Sequence, residues 1–197
     1  LVGIKKKLVV NAKSLTGIRT ECASRLSQEV TKEIQQLSMP HTSFHCQVNS
    51  ADYNALKESD FTNLGCDEIA MQIQGHSGAP LIALGKGASG GEMSRIMLAL
   101  EVVLAQTHPV GTYIFDEVDA GIGGEAAVAV AQALAQLGKR HQVLVVTHLP
   151  QVAAAGHTHI QVSKSVRSGK TFAQAATLGQ EERIAEIARM LSGGVAE

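Results

Sequence analysis

The sequence predicts an α/β fold, and three features carry that prediction. Residues 112–115 and 142–146 are short, nearly all-apolar runs of strand length. Between them, residues 124–137 form an alanine-rich stretch of helical length. Gly138 closes that stretch where a helix stop is expected. Strand, helix and strand with unbroken apolar runs imply a parallel pair, buried on both faces and joined by a right-handed crossover. At 197 residues the chain can hold one substantial core with room for a helical appendage.

The elements follow in chain order. Residues 8–39 read as one helix stopped by Pro40. Leu15, Ile18, Cys22, Leu26, Val30, Ile34 and Leu37 recur at steps of three and four and make one apolar stripe opposite a polar face. That stripe suits packing on a core or the root of a coiled coil, and periodicity does not separate the two. The chain is therefore divided at the proline, with a long helix over 1–40 and the remaining lobe over 41–197. Phe44, Cys46 and Val48 alternate with polar neighbours, as do Ile69, Met71 and Ile73, so both stretches read as half-exposed strands. The polar stretch 49–65 between them reads as a loop, and 74–80 as a turn. Residues 93–106 read as a helix closed by His108-Pro109. Residues 159–162 and 171–177 read as a hairpin. A last helix from Gln180 carries Ile184, Ile187, Ala188 and Leu191 on one face, with Gly193 as its C-cap.

Composition excludes several function classes. A formal net charge of −1 gives no support for a globally basic nucleic-acid binder, and Lys5-Lys6-Lys7 is a short solvated run. Aromatics at 3% leave few platforms for base stacking. Cys22, Cys46 and Cys66 are odd in number and lack C-x-x-C spacing, which argues against a disulfide framework or a zinc site and fits a reducing cytoplasm. No apolar run is long enough for a bilayer span, so no membrane association is expected. A start at Leu1 instead of Met suggests an excised piece or a processed product.

Two segments carry chemistry. Ser89-Gly90-Gly91-Glu92 opens the helix of residues 93–106. Ser followed three residues later by Glu is a capping box, and the same geometry offers free backbone N–H groups, a positive helix end and the Ser89 hydroxyl to a phosphate. Asp116-Glu117 ends an apolar strand, where two adjacent like charges are costly without a cation. Mg²⁺ prefers one or two carboxylates plus phosphate oxygens and water. Asp116 is then the metal-binding acid and Glu117 the general base that polarises the attacking water. His148 follows the neighbouring apolar strand and should emerge at the same sheet edge, where open α/β folds bind ligands. No G-x-x-x-x-G-K-[ST] loop occurs anywhere in the chain, so only half of a nucleotide site is present.

Three other patterns carry less. Gly121-Ile122-Gly123-Gly124-Glu125-Ala126 fits a dinucleotide fingerprint, but Asp116, Glu117 and Asp119 stand between strand and glycines and would repel a pyrophosphate without a bound cation. Ser168-Gly169-Lys170-Thr171 imitates the end of a phosphate loop, yet Lys164 replaces its first glycine and a strand follows. It reads as a hairpin tip. His157 and His159 alternate on a strand with no third metal ligand in place.

The order of Ser89-Gly90-Gly91-Glu92, Phe115-Asp116-Glu117 and Thr147-His148 resembles the C-terminal half of an ABC-type ATPase head of the SMC-like group. The longer runs Ala88–Ala99, Phe115–Gly124 and Thr147–Ala153 are similar to a bacterial DNA-repair branch of that group. That resemblance implies ATP and Mg²⁺ as cofactors and a coiled-coil base for the opening helix. It implies an N-terminal half of the same head carrying the Walker A loop, and a second head in a nucleotide-dependent dimer. Ser89, Gly90 and Gly91 would contact the γ-phosphate held by the opposite head, while Asp116, Glu117 and His148 serve their own. Hydrolysis would control DNA engagement in double-strand break repair, in the cytoplasm at the nucleoid. The loop of Asp119, Gly121 and Gly123 corresponds to the D-loop. Where Gly123 stands the wider family usually carries an aspartate; the repair branch shares the glycine. Asp119 is then the candidate for linking the two sites. Two other readings are an ABC transporter nucleotide-binding subunit, disfavoured by the long amphipathic helix upstream, and a non-catalytic dimerisation module, disfavoured by the intact Asp116, Glu117 and His148.

Overall fold

The first helix, α1 (Val2–Gln36), sets the frame for the amino-terminal part of the chain. In this computed structural model residues 2–53, 55–86, 88–105, 107, 110–167 and 170–192 are described. The packed face of α1 departs from the apolar stripe. Val30, Ile34 and Leu37 are buried, but Ile18 and Cys22 are exposed. Ahead of Val30, Leu15 and Leu26 of the stripe are half-buried, and the fully buried residues are the small Ala12 and Ala23. The reason lies in the edge strand beside the helix.

Strand β1 (Ser43–Asn49) pairs antiparallel with β2 (Glu68–Gln74), which pairs with the two-residue β3 (Ile82–Ala83). β1 is therefore an edge with unpaired ladder groups. The Ser27 hydroxyl donates to the Ala23 carbonyl at 2.7 Å and accepts the Cys46 N–H at 2.8 Å. Thr31 Oγ1 accepts the Phe44 N–H at 2.9 Å. The helix thus satisfies the open edge with hydroxyls, which requires small side chains on that face. Phe44 and its register partner Ile73 are the buried pair of the sheet, while Ile69 and Met71, on the same face of β2 as Ile73, are exposed, so the expected alternation holds in β2 only at Ile73.

The connection to β2 contains a 3-10 turn (Glu58–Asp60) and is fastened to α1. Arg19 Nη1 reaches Asp67 Oδ2 at 2.9 Å, and Thr16 Oγ1 donates to Asp67 Oδ1 at 2.6 Å. Arg19 Nη2 also donates to the Leu64 carbonyl at 2.6 Å. Gly65 has φ +91°, and a Cβ there would lie 2.9 Å from Leu15 Cδ2.

The chain forms two compact units. One holds everything up to Ser89 and the stretch from Ala99 to residue 106; the other holds Gly90–Leu98 and the chain from Thr107 onward. Helix α2 (Gly90–Leu104) contributes to both. The long helix ends at Gln36, short of the expected stop at Pro40, and the structural partition falls further along. The expected end of α2 at residue 106 and its closure by His108-Pro109 lie outside the described residues.

In the second unit β4 (Thr112–Phe115) and β5 (Gln142–Val145) pair in parallel with Phe115 opposite Val145, and α3 (Gly124–Gly138) connects them. Tyr113 and Phe115 are buried, and α3 buries Ala127, Val130, Ala131, Ala133, Leu134 and Leu137. The expectation of burial on both faces fails: Ile114 is 74% exposed, Leu144 42% and Val146 62%. Two strands and one connecting helix supply side chains for one face alone.

The rest of the unit is α4 (Pro150–Ala155), the hairpin β6 (Ile160–Arg167) and β7 (Lys170–Thr177), and α5 (Gln180–Ser192). The hairpin strands are longer than the alternation indicated, and β6 begins after His157 and His159, so these two do not alternate within it. The Ser168-Gly169 tip and the Gly193 cap lie outside the described residues. On α5 the apolar face is open, with Ile184 and Leu191 exposed. The packed side is polar instead. Arg183 Nη2 donates to the carbonyls of Ala153 and Ala154, at 3.3 and 2.8 Å, and to that of Gly156. Glu186 accepts from Gln161 at 2.8 Å and from two nitrogens of Arg189.

Candidate functional site

Asp116 and Glu117 leave the end of β4 without an intervening residue, and both are exposed. Asp116 Oδ1 accepts the Glu117 N–H at 2.9 Å. Glu117 has φ +57°, a left-handed conformation rare for a residue with a side chain. Such strain persists only where surrounding contacts over-determine it. Here they do. Ser94 Oγ donates to the Asp116 carbonyl at 2.9 Å, Arg95 Nη1 to the Ala120 carbonyl at 3.0 Å, and the Ala120 N–H to the Glu117 carbonyl at 3.0 Å. The strand end is thus bent back onto the first turns of α2.

The two glycines of the helix start make that approach possible. A Cβ on Gly90 would lie 2.6 Å from Glu117 Oε2. One on Gly91 would lie 2.9 Å from Ala120 Cβ and 3.1 Å from the carbonyl oxygens of both Ala120 and Glu117. The carboxylate of Glu117 therefore rests against the positive end of α2, the position the sequence suggests for a phosphate. Ser89 precedes the first helical residue, and Glu92 lies in the first turn. Arg95 is buried, with 6% exposed. Burial lowers its pKa from the usual value, and the Glu92 carboxylate works in the opposite direction.

The loop after β5 joins the same end of the parallel pair. The Val146 N–H donates to the Phe115 carbonyl at 3.0 Å, which carries the register up to Thr147. Asp119 is only 2% exposed. Its Oδ2 accepts the Thr147 hydroxyl, accepts the His148 N–H at 3.3 Å, and lies 3.5 Å from His148 Nδ1. Thr147 Oγ1 in turn accepts the Leu149 N–H at 3.0 Å. The His148 side chain is 72% exposed. Asp116, Glu117 and His148 thus stand open at one end of the strand pair, with Asp119 beneath them tying the two loops together.

Gly121 turns at φ +73°, where only glycine sits without strain, and Gly123 is the extended N-cap of α3 with no side chain to offer. Among the described residues no group of three His, Cys, Asp or Glu side chains is placed to hold a metal. The donor set fits Mg²⁺ all the same: Asp116 keeps Oδ2 clear of the bond to Glu117 N–H, and Mg²⁺ takes its other ligands from phosphates and water. Sequence reasoning missed the parts played by Ser94, Arg95 and Thr147. The only signal for them was adjacency to the motifs, since contacts to another loop's carbonyl or carboxylate leave no periodic trace.

No protein-family profile matches the chain. Individual proteins do. It is 44% identical over 187 residues to the DNA repair protein RecN of Streptomyces coelicolor, covering 92% of this chain and 33% of that protein. With RecN of Bacillus subtilis the identity is 34% over 201 residues, covering 98% and 35%. The chain spans about a third of the length of the curated relatives it matches. Among solved structures it resembles the Smc head domain with coiled coil and joint from Pyrococcus yayanosii, at TM-score 0.59 and 20% identity, covering 87% of this chain and 30% of that one. It also resembles an SMC ATPase structure concerned with ATP-driven dimerization and DNA-stimulated activation, at TM-score 0.51 and 19% identity, covering 89% and 97%. Identity of this size over nearly the whole sequence makes the chain a RecN-like segment, and its fold is that of the Smc head domains.

Proposed function

We propose that this chain is the C-terminal part of an SMC-like ATPase head that hydrolyses ATP at a composite site and thereby controls DNA engagement in double-strand break repair. The observation that carries the reading is Glu117, held in a left-handed conformation beside Asp116 and against the glycines of the α2 start. A surface pair of acids has no need of that arrangement. The absent phosphate loop comes from the N-terminal half of the same head, which also covers the open face of β4 and β5. A second head completes the site, so that Ser89, Gly90 and Gly91 meet the γ-phosphate bound opposite.

Within that site Asp116 would hold Mg²⁺, which when bound would supply charge neutralisation for the transferred phosphoryl group. Glu117 polarises the attacking water, and His148 orients it or bonds the γ-phosphate. Because Glu117 rests on its own α2 start, it must swing away when that start receives a phosphate.

The test is nucleotide turnover in the full-length protein. Glu117→Gln should stop hydrolysis, preserve ATP binding and prolong head pairing. The chain by itself should neither bind ATP tightly nor hydrolyse it, and adding the N-terminal half should restore Mg²⁺-dependent turnover. Full-rate hydrolysis by the chain alone would overturn the split-head reading.

A further inference from the structure

Asp119 has no counterpart among the exposed acids of the site. It is buried while Asp116 and Glu117 are exposed, and a single one of its oxygens serves three groups of the loop after β5. A buried carboxylate is expensive unless fully engaged, and its engagement here is entirely with Thr147 and His148. We infer that Asp119 is a positioning residue for His148: through Thr147 and the His148 backbone N–H it fixes the loop after β5 to the turn that follows Glu117, so that the imidazole is held in place at the site.

This rests on the hydrolytic reading above, and it revises the part expected of Asp119. Its carboxylate is directed within its own chain, into a place where 2% exposure leaves no surface for a second head. The ring of His148 keeps its outer nitrogen free for phosphate or water, while Nδ1 stands 3.5 Å from Asp119 Oδ2. Thr147 completes the arrangement by giving its proton to Asp119, with the Leu149 carbonyl a longer alternative at 3.5 Å, and taking the Leu149 N–H.

A double-mutant cycle in the full-length protein tests the coupling. Asp119→Ala should lower kcat for ATP hydrolysis roughly tenfold to a hundredfold, the scale of losing orientation without losing a reacting group, with KM for ATP unchanged within about twofold. In a His148→Ala background the same substitution should cost almost nothing, because a residue that acts through His148 has no effect once the ring is gone. Thr147→Val, which removes the donated proton but keeps the shape, should show the same dependence on His148. It also serves if Asp119→Ala proves too unstable to assay. Equal losses with and without His148 would overturn the inference and leave Asp119 a structural group. Glu117→Gln is the control that separates the two claims. If it leaves hydrolysis intact, the parent reading fails. If it abolishes hydrolysis while the cycle is additive, only the role of Asp119 fails.

Discussion

Placing alanine at Gly90 or at Gly91 distinguishes a glycine that leaves room for a side chain from one that leaves room for a backbone. At Gly91 the new Cβ would meet two carbonyl oxygens at 3.1 Å and the Ala120 Cβ at 2.9 Å, none of which can rotate away. The start of α2 and the turn after β4 must separate by a few tenths of an ångström. They are pinned together by Ser94 on the Asp116 carbonyl and Arg95 on the Ala120 carbonyl. Overpacking of this kind costs about 1–3 kcal/mol, and the better helix propensity of alanine returns at most about 1 kcal/mol. Gly91→Ala should therefore lose about 1–2 kcal/mol. At Gly90 the only close atom is the far end of a flexible side chain, Glu117 Oε2 at 2.6 Å. Gly90→Ala should leave stability within about 0.5 kcal/mol, since a rotamer change relieves the contact. Urea denaturation of the two variants, read as a shift in midpoint at constant slope, measures the difference. Equal stability of both variants would refute the claim that the turn lies against Gly91.

Three further expectations concern the scaffold. Arg19→Ala removes the cation from Asp67, whose side chain is 1% exposed, and leaves it the Thr16 hydroxyl as a donor at 2.6 Å. Discounted for the partial exposure of Arg19, the loss should be about 1–3 kcal/mol in urea denaturation, and a loss under about 0.5 kcal/mol would show that the pair contributes little. Glu186 has its pKa lowered chiefly by the hydrogen bonds from Arg189, against the opposing effect of burial. A depressed folded-state pKa gives stability that is present above the ordinary glutamate value and lost as pH falls through the folded one. Glu186→Gln should therefore lower thermal stability near neutrality and flatten the acid limb, converging with the parent protein at low pH; an unchanged acid limb would contradict the assignment. Ile114→Lys should leave the chain's own stability within about 0.5 kcal/mol, because the side chain is already 74% exposed. It should weaken association with the N-terminal half tenfold or more, measured by titration calorimetry, and unchanged affinity would mean that this face is not covered.

Legibility followed the kind of interaction. The parallel pair and α3 were readable because continuous apolar runs and alanine-rich helical length are local signals, and β4 occupies the four residues expected of it. The hairpin and α5 were found, but the α5 face was misjudged. Its apolar residues are open, and Arg183 and Glu186 make the packed side through contacts with carbonyls and Gln161 that no periodicity encodes. The α1 stripe failed ahead of Val30 for a related cause: hydroxyls of Ser27 and Thr31 answer the open edge of β1, and polar residues on a packed face resemble a solvated one. At the site, the adjacency of Asp116 and Glu117 and the strand before His148 were legible. The left-handed turn at Glu117 and the burial of Asp119 were not, because both depend on which loop lies beneath.

The failure of the sheet to bury its second face bears directly on how the site works. A parallel strand with apolar residues on both sides is ordinarily covered on both sides, and burying Ile114, Leu144 and Val146 would contribute about 1 kcal/mol each beyond their present state. That gain becomes available only when another layer arrives. The same arrival would bring a phosphate loop to the end of β4, where Asp116, Glu117 and His148 stand exposed. On the proposed split head, completing the core and completing the active site would be one event. The residues already fixed within this chain, Asp119 on Thr147 and Arg95 on Ala120, keep the catalytic end of the strands shaped before that event. On that proposal the binding energy of the arriving half would go into joining two prepared surfaces, with little spent on ordering loops.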